Sequence, residues 1–314
     1  MFDLNDSTKL SVALAIFVIG IGSVFMKTPQ KEKPEEEEDT WESHIPSRHG
    51  ELEEVYPGKL YRLEAAGCSY GPPTRNMTIY VNDDEQQNDN NNKLLLIVSA
   101  IAVREDTLQE ILSLGTPSVL VIPNGMHRCC AGVWKQRFPD ILVVCPDFQI
   151  PKGRETIEEV IQVDKTMDEL CQLPAWKNAL TPRRLDGWKH FEEILEVRLE
   201  QDKKAMIVTD LLFTTPSENG GWVTSMIQWF FDSVTELPSE GSMTIPKITR
   251  MARWFTITDW KKAEEWYRAY AQEEGANIAV ILAGHGPPIR EMEAKAGCKD
   301  ALVGVADQLV TPRW

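Results

Sequence analysis

KAMIVTDLLF at residues 204–213 and NIAVILAGHGPPI at 277–289 decide how this chain reads. Each is a continuous apolar run that ends in one polar group of chemical interest. The first delivers Asp210, within Thr209-Asp210-Leu211-Leu212-Phe213, and the second delivers His285, within Gly284-His285-Gly286-Pro287-Pro288. Short apolar runs bounded by turn formers are buried strands, and strand ends are where layered folds place ligands. Between the two lies a helix, DWKKAEEWYRAYAQEEG, capped by Asp259 and stopped at Gly275. Before them comes EEILEVRL (192–199), another strand.

The earlier half repeats strand and helix. KLYRL (59–63) and NMTIYV (76–81) open it as a hairpin, and NDDEQQNDNNN (82–92) is a polar loop. KLLLIVSA (93–100) reads as a buried strand and EDTLQEILSLG (105–115) as a helix with Leu108, Ile111, Leu112 and Leu114 inward. SVLVIP (118–123), the loop NGMHRCCAG (124–132), a helical VWKQRF (133–138) and the strand ILVVC (141–145) follow. This succession predicts an α/β (α+β) layered protein whose sheets are covered by helices.

The chain has 314 residues, 33 basic against 48 acidic, for a net charge of −15. No basic stripe is left for phosphates, so nucleic acid is not an expected partner. Residues 31–54 hold ten acids and three bases, so −7 of that charge sits in one stretch. Six cysteines without a CxxC pair exclude a zinc knuckle, and buried, reduced thiols are the expectation.

Residues 10–26 (LSVALAIFVIGIGSVFM), opening at Leu10 and closing at Met26, are apolar and uncharged. At about 1.5 Å per residue they reach about 26 Å, the short end of what a bilayer core of about 30 Å needs. The flank 1–9 carries Asp3 and Asp6, and no small-residue cleavage site follows, so the segment reads as an anchor rather than a signal peptide. Lys27, Lys31 and Lys33 follow it and only Lys9 precedes it, which places the large part on the cytoplasmic or equivalent side. Residues 27–56, rich in Pro and Glu, are expected to be a linker, and 57–314 the folded domain. On that side Asn76-Met77-Thr78, formally a glycosylation acceptor, is a chance match.

From about residue 57 to about 290 the chain resembles the metallo-β-lactamase-fold superfamily. The residues that carry the likeness are the Asp210 strand, the Gly284-His285-Gly286-Pro287 loop and the strand–loop–helix at 118–138. The resemblance implies an αββα sandwich, here preceded by one transmembrane helix. In active members the loop holds a His-x-His-x-Asp-His box. Taking Gly132 as the glycine that opens the helix puts Asn124 and Met126 at the first two histidines, Arg128 at the aspartate and Cys129 at the last histidine. His127 falls between ligand positions, and a one-residue shift would turn it inward. No histidine stands in EEILEVRLEQDKKA, where the family's next ligand lies.

By this resemblance the first of two zinc ions loses its ligands, and the second keeps Cys129, Asp210 and His285. Three functions stay open. The preferred one is a non-catalytic accessory or scaffolding subunit of a membrane complex, without cofactor. Another is a mononuclear zinc hydrolase of an ester, thioester or lactone. The third is a module that binds a small anion through Arg128, whose guanidinium would otherwise pair with Asp210. The aromatic run Trp222, Trp229, Phe230 and Phe231 reads as core or, if exposed, as a partner or membrane surface.

Overall fold

The computed structural model describes residues 40–65, 74–83, 93–147, 151–189, 192–200, 202–214, 246–248, 252–253, 256–291 and 297–310. The anchor at 10–26, most of the polar loop, His190, Cys68 and the aromatic run at 222–231 lie outside these residues. No helix among the described residues is long and apolar enough to cross a membrane.

Two sheets form the centre. The first has seven strands in the order β1-β2-β3-β4-β5-β6-β7: Glu53–Tyr56, Leu60–Ala65, Arg75–Asn82, Leu94–Val98, Thr116–Val121, Leu142–Cys145 and Lys165–Thr166. The second has the order β12-β11-β10-β9-β8, with β8 Leu180–Arg183, β9 Ile194–Arg198, β10 Lys204–Ile207, β11 Ile278–Leu282 and β12 Ile289–Arg290. β4 and β5 are parallel, as are β10 and β11.

The period of two along each strand sorts side chains into three cores. In β4, Leu96 and Val98 join Val119 and Val121 of β5 and meet Val197, Ile207 and Leu282 of the second sheet. Leu95 and Ile97 face the other way, against Leu108 and Ile111 of helix α1 (Glu105–Leu114) and Trp134 of α2 (Ala131–Arg137). The second sheet buries its far face under α5 (Trp260–Glu273) and α6 (Gly297–Val310), which pack on each other. Helix–sheet–sheet–helix is therefore the layer order. The short α3 (Pro151–Glu158) and α4 (Met167–Leu170) follow β6 and β7. Asp259 caps α5 as expected, its carboxylate accepting from the Lys262 amide at 3.1 Å.

The structure moves the start of the domain. Residues 40–56, read as linker, pack on it. Trp41 is buried, donates its indole N–H to the Val103 carbonyl at 2.8 Å and meets Trp134 edge-on at 5.2 Å, with the Arg137 guanidinium 5.1 Å over its ring. β1 then pairs with β2. The acidic average of this stretch hid one aromatic anchor and one short edge strand. Asn76 is buried, so its sequon offers no acceptor for a glycan. The strand expected over 204–213 is shorter, because β10 ends at Ile207 and residues 208–214 form the loop that carries Asp210.

Candidate metal centre

Four strand ends of the two sheets build the site. β4 leads into Ser99, β5 into Asn124 and His127, β10 into Asp210 and β11 into His285. His127, Asp210 and His285 are buried, and one donor atom from each lies within 4.8 Å of the other two. Nε2 of His127 is 3.3 Å from Asp210 Oδ2, and Nε2 of His285 is 3.2 Å from Asp210 Oδ1.

Each side chain has its own support. Asn124 caps the 3-10 turn Gly125–His127, its Oδ1 accepting from the Met126 amide at 2.8 Å. Its Nδ2 donates to Asp210 Oδ2 at 2.7 Å and to Glu192 Oε2 at 3.2 Å. Glu192 in turn accepts from the backbone amides of Thr209 and Asp210, the latter at 2.8 Å, and so fixes the loop after β10. Ser99 Oγ stands 2.5 Å from His127 Nδ1. The Thr74 carbonyl lies 2.7 Å from His285 Nδ1, and Phe213 stacks on that ring at 4.4 Å.

Gly284 lets the last loop close. A Cβ at that position would come within 2.8 Å of the Thr209 Cα and 3.1 Å of its carbonyl carbon, so no side chain fits where the two loops cross. Asn76 ties the same loop down, donating to the carbonyls of Ala283 at 2.8 Å and Gly286 at 2.6 Å. Gly284→Ala is therefore expected to force the His285 loop off the Asp210 loop, at a cost of about 1–3 kcal/mol from overpacking. Urea unfolding of the variant beside the native protein measures it, and an unchanged midpoint would refute the close-approach argument.

The electrostatics follow from burial. Desolvation holds His127 below the usual histidine range, against the pull of the Asp210 charge. Burial raises Asp210, but His127 and His285 outweigh it and leave the carboxyl well below its usual range. Glu192 is pushed up to about 7 by burial and by the Asp210 charge, which the backbone amides of Thr209 and Asp210 and the Thr209 side chain only partly offset.

The structure corrects the expected ligand set in two places. His127, not Cys129, converges with Asp210 and His285. The Cys129 thiol lies 3.7 Å from the Met126 carbonyl and packs at the edge of the first core. The reason is the 3-10 turn, whose three residues per turn rotate His127 inward and leave Met126 54% exposed. Arg128 does not replace the metal either. Its guanidinium donates to the Gly125 carbonyl, while the groups around the Asp210 carboxylate are Asn124, His127 and His285. Glu192, Ser99 and Thr74 are supports that sequence reasoning missed. The Glu-Glu pair opening the β9 segment was the one available signal.

The donor set fits a zinc ion. Two imidazoles and a carboxylate are a known catalytic set, and zinc–ligand bonds of about 2.0–2.1 Å in a tetrahedron space the donors about 3.3 Å apart. The contacts of 3.2 and 3.3 Å run to different Asp210 oxygens, Oδ1 for His285 and Oδ2 for His127, and one donor atom from each residue lies within 4.8 Å of the others. His285 Nδ1 faces a carbonyl, which only accepts, so Nδ1 carries the hydrogen and Nε2 is the nitrogen directed at Asp210 Oδ1. A metal ion or an Nε2 proton completes that contact.

The layers form the two-sheet α/β sandwich that the sequence resemblance implied, and His127, Asp210 and His285 come together at its strand ends. No family model and no curated protein matches this sequence. Among solved structures the chain is similar to the DIM-1 metallo-β-lactamase, at 11% identity over 83% of this chain and 99% of that one, with a TM-score of 0.45. It is also similar to VMB-1, at 6% identity over 83% and 98%, TM-score 0.48. A third is the metallo-β-lactamase FIM-1 from Pseudomonas aeruginosa in its mono-zinc form, at 12% identity over 86% and 100%, TM-score 0.44. At such identities a shared fold says nothing of a shared activity.

Proposed function

We propose that this chain is a membrane-anchored metallo-β-lactamase-like domain built round one zinc ion, held by His127, Asp210 and His285, and that it hydrolyses an ester, thioester or lactone. The observation that carries the reading is the convergence of His127, Asp210 and His285, whose donor atoms all lie within 4.8 Å of one another. Bound zinc supplies a water of near-neutral pKa and a Lewis acid for the scissile carbonyl. The protein's own part is to fix the donors. Asn124 holds Asp210 Oδ2, Glu192 holds the loop behind it, and Phe213 covers one face of His285. Among the described residues a second ion has no comparable set, since Asn124 is engaged as a hydrogen-bond donor and Met126 points outward.

Elemental analysis of the full-length protein, purified without chelators, tests the reading. About one zinc per chain is expected, lost in Asp210→Ala. A metal-free native protein that takes up no added zinc would overturn it.

A second reading rests on burial, because the side chains of His127, Asp210 and His285 are only 3%, 9% and 11% exposed. On that reading the metal or ion-paired centre serves stability alone, and the domain is a non-catalytic accessory or scaffolding subunit of a membrane-associated complex. Turnover of generic lactone, thioester and β-lactam substrates separates the two. A zinc-dependent rate abolished by Asp210→Ala favours the hydrolase, and a zinc-loaded protein without turnover favours the accessory role.

Residues 10–26 support the anchor, with the lysines at 27, 31 and 33 favouring the cytoplasmic or equivalent side for the domain. Deleting residues 1–27 should move the protein wholly into the soluble fraction, still folded, because Trp41, the first buried side chain among the described residues, is kept. Truncated protein that pellets with membranes after a high-salt wash would rule out a single anchor.

A further inference from the structure

The two histidines of the centre are held by partners of different chemistry. His285 Nδ1 faces the Thr74 carbonyl, so its hydrogen stays on Nδ1. His127 Nδ1 faces the Ser99 hydroxyl, which donates or accepts. Ser99 is unusual in its backbone as well. With φ at 58° it is the one non-glycine among the described residues in the left-handed region, where a Cβ is strained. It follows β4 directly, is 1% exposed, and is pinned by its amide donating to the Val121 carbonyl at 3.1 Å. The left-handed residue and the loop after β5 together bring its hydroxyl onto the imidazole.

We propose that Ser99 is a positioning residue that sets the His127 ring and permits its exchange of tautomers when a metal enters. The proposal rests on the metal-centre reading above. Without metal, His127 carries its hydrogen on Nε2 and donates to Asp210 Oδ2, and the Ser99 hydroxyl donates to Nδ1. With metal, Nε2 offers its lone pair, Nδ1 carries the hydrogen, and Ser99 accepts it. The ring loses one proton at Nε2 to solvent and gains one at Nδ1 from solvent, so its charge does not change. A carbonyl in place of Ser99 would permit only the second state. The hydroxyl serves both, while the Thr74 carbonyl keeps a hydrogen on His285 Nδ1.

The test compares native full-length protein with Ser99→Ala and Ser99→Gly. Both remove the hydroxyl, but glycine also relieves the left-handed strain and so guards against a variant that merely fails to fold. Zinc affinity is read by competition with a chromophoric chelator, and the ring nitrogens of His127 by nitrogen-15 NMR of the metal-free protein. Both variants are expected to bind zinc about 10- to 100-fold more weakly, the usual loss for an outer-shell partner. The Nδ1 resonance of His127 should move in both as its lone pair loses a donor. Native affinity in Ser99→Gly would show that the hydroxyl is not needed and would overturn the proposal. So would an Nδ1 resonance unchanged from native in both variants. If the native protein binds no zinc, the metal reading fails by itself, and the NMR comparison still decides whether Ser99 holds the ring.

Discussion

Glu192→Ala is expected to destabilise the folded domain by about 3–5 kcal/mol, because it leaves two buried amides and part of a third donor without an acceptor. The Glu192 carboxylate accepts from the amides of Thr209 and Asp210 and from the Asn124 side chain, all within the buried floor of the site. Each orphaned N–H costs about 1–3 kcal/mol. Glu192→Gln keeps one acceptor oxygen and should lose about half as much. Thermal unfolding of chelator-treated protein measures both, with a fall on the order of 10 °C expected for alanine. Equal melting temperatures for alanine and native protein would show that Glu192 does not hold the loop.

The central strands β2 to β6 and β9 to β11 and the helices α1, α2 and α5 were legible in the sequence because their apolar runs and caps obey simple periods, whereas β1, β7, β8, β12, α3, α4 and α6 were not read. Asp210 and His285 were legible because each follows an apolar strand into a short turn. What failed was the register of the loop at 124–132. Counting back from Gly132 assumed one spacing through the box, and the 3-10 turn Gly125–His127 breaks it, turning His127 in and Met126 out. Glu192 was hidden for another reason. It reads as the polar start of an alternating strand, and only the fold shows that the Asp210 loop lies within reach of its carboxylate. Thr74 acts through a carbonyl that every residue has, and Ser99 through a backbone angle that no residue type announces. Trp41 was averaged away by the acids around it. Composition describes a segment's mean, whereas one buried indole fixes where the chain docks.

Acidification should leave the metal-free domain almost unchanged in stability between pH 6.5 and 4.5 and then unfold it steeply below about pH 4. Three buried groups produce this shape. His127 is held below its ordinary 6.5, chiefly by burial, so as pH falls through 6.5 the unfolded chain takes up a proton that the folded one refuses. Stability falls there. Glu192 works in the opposite sense. Its folded carboxyl protonates near 7 and its unfolded one near 4.5, so between those values the folded state binds the extra proton and gains stability. A difference of that size corresponds to about 3 kcal/mol. The two trends oppose each other across the window they share. Below 4.5 Glu192 is protonated in both states and contributes no further slope. Asp210, kept far below its ordinary 3.8 by the two histidines despite its burial, then resists the proton that the unfolded chain accepts. His127 adds to the same loss. Urea midpoints at pH 7, 5.5, 4.5 and 3.5 on chelator-treated protein give the curve. In Glu192→Gln the compensating gain is gone, so stability should decline from pH 6.5 downward without a plateau. In Asp210→Asn the steep limb below pH 4 should flatten. A native curve that declines from pH 6.5 in parallel with Glu192→Gln would mean that Glu192 is not the opposing group.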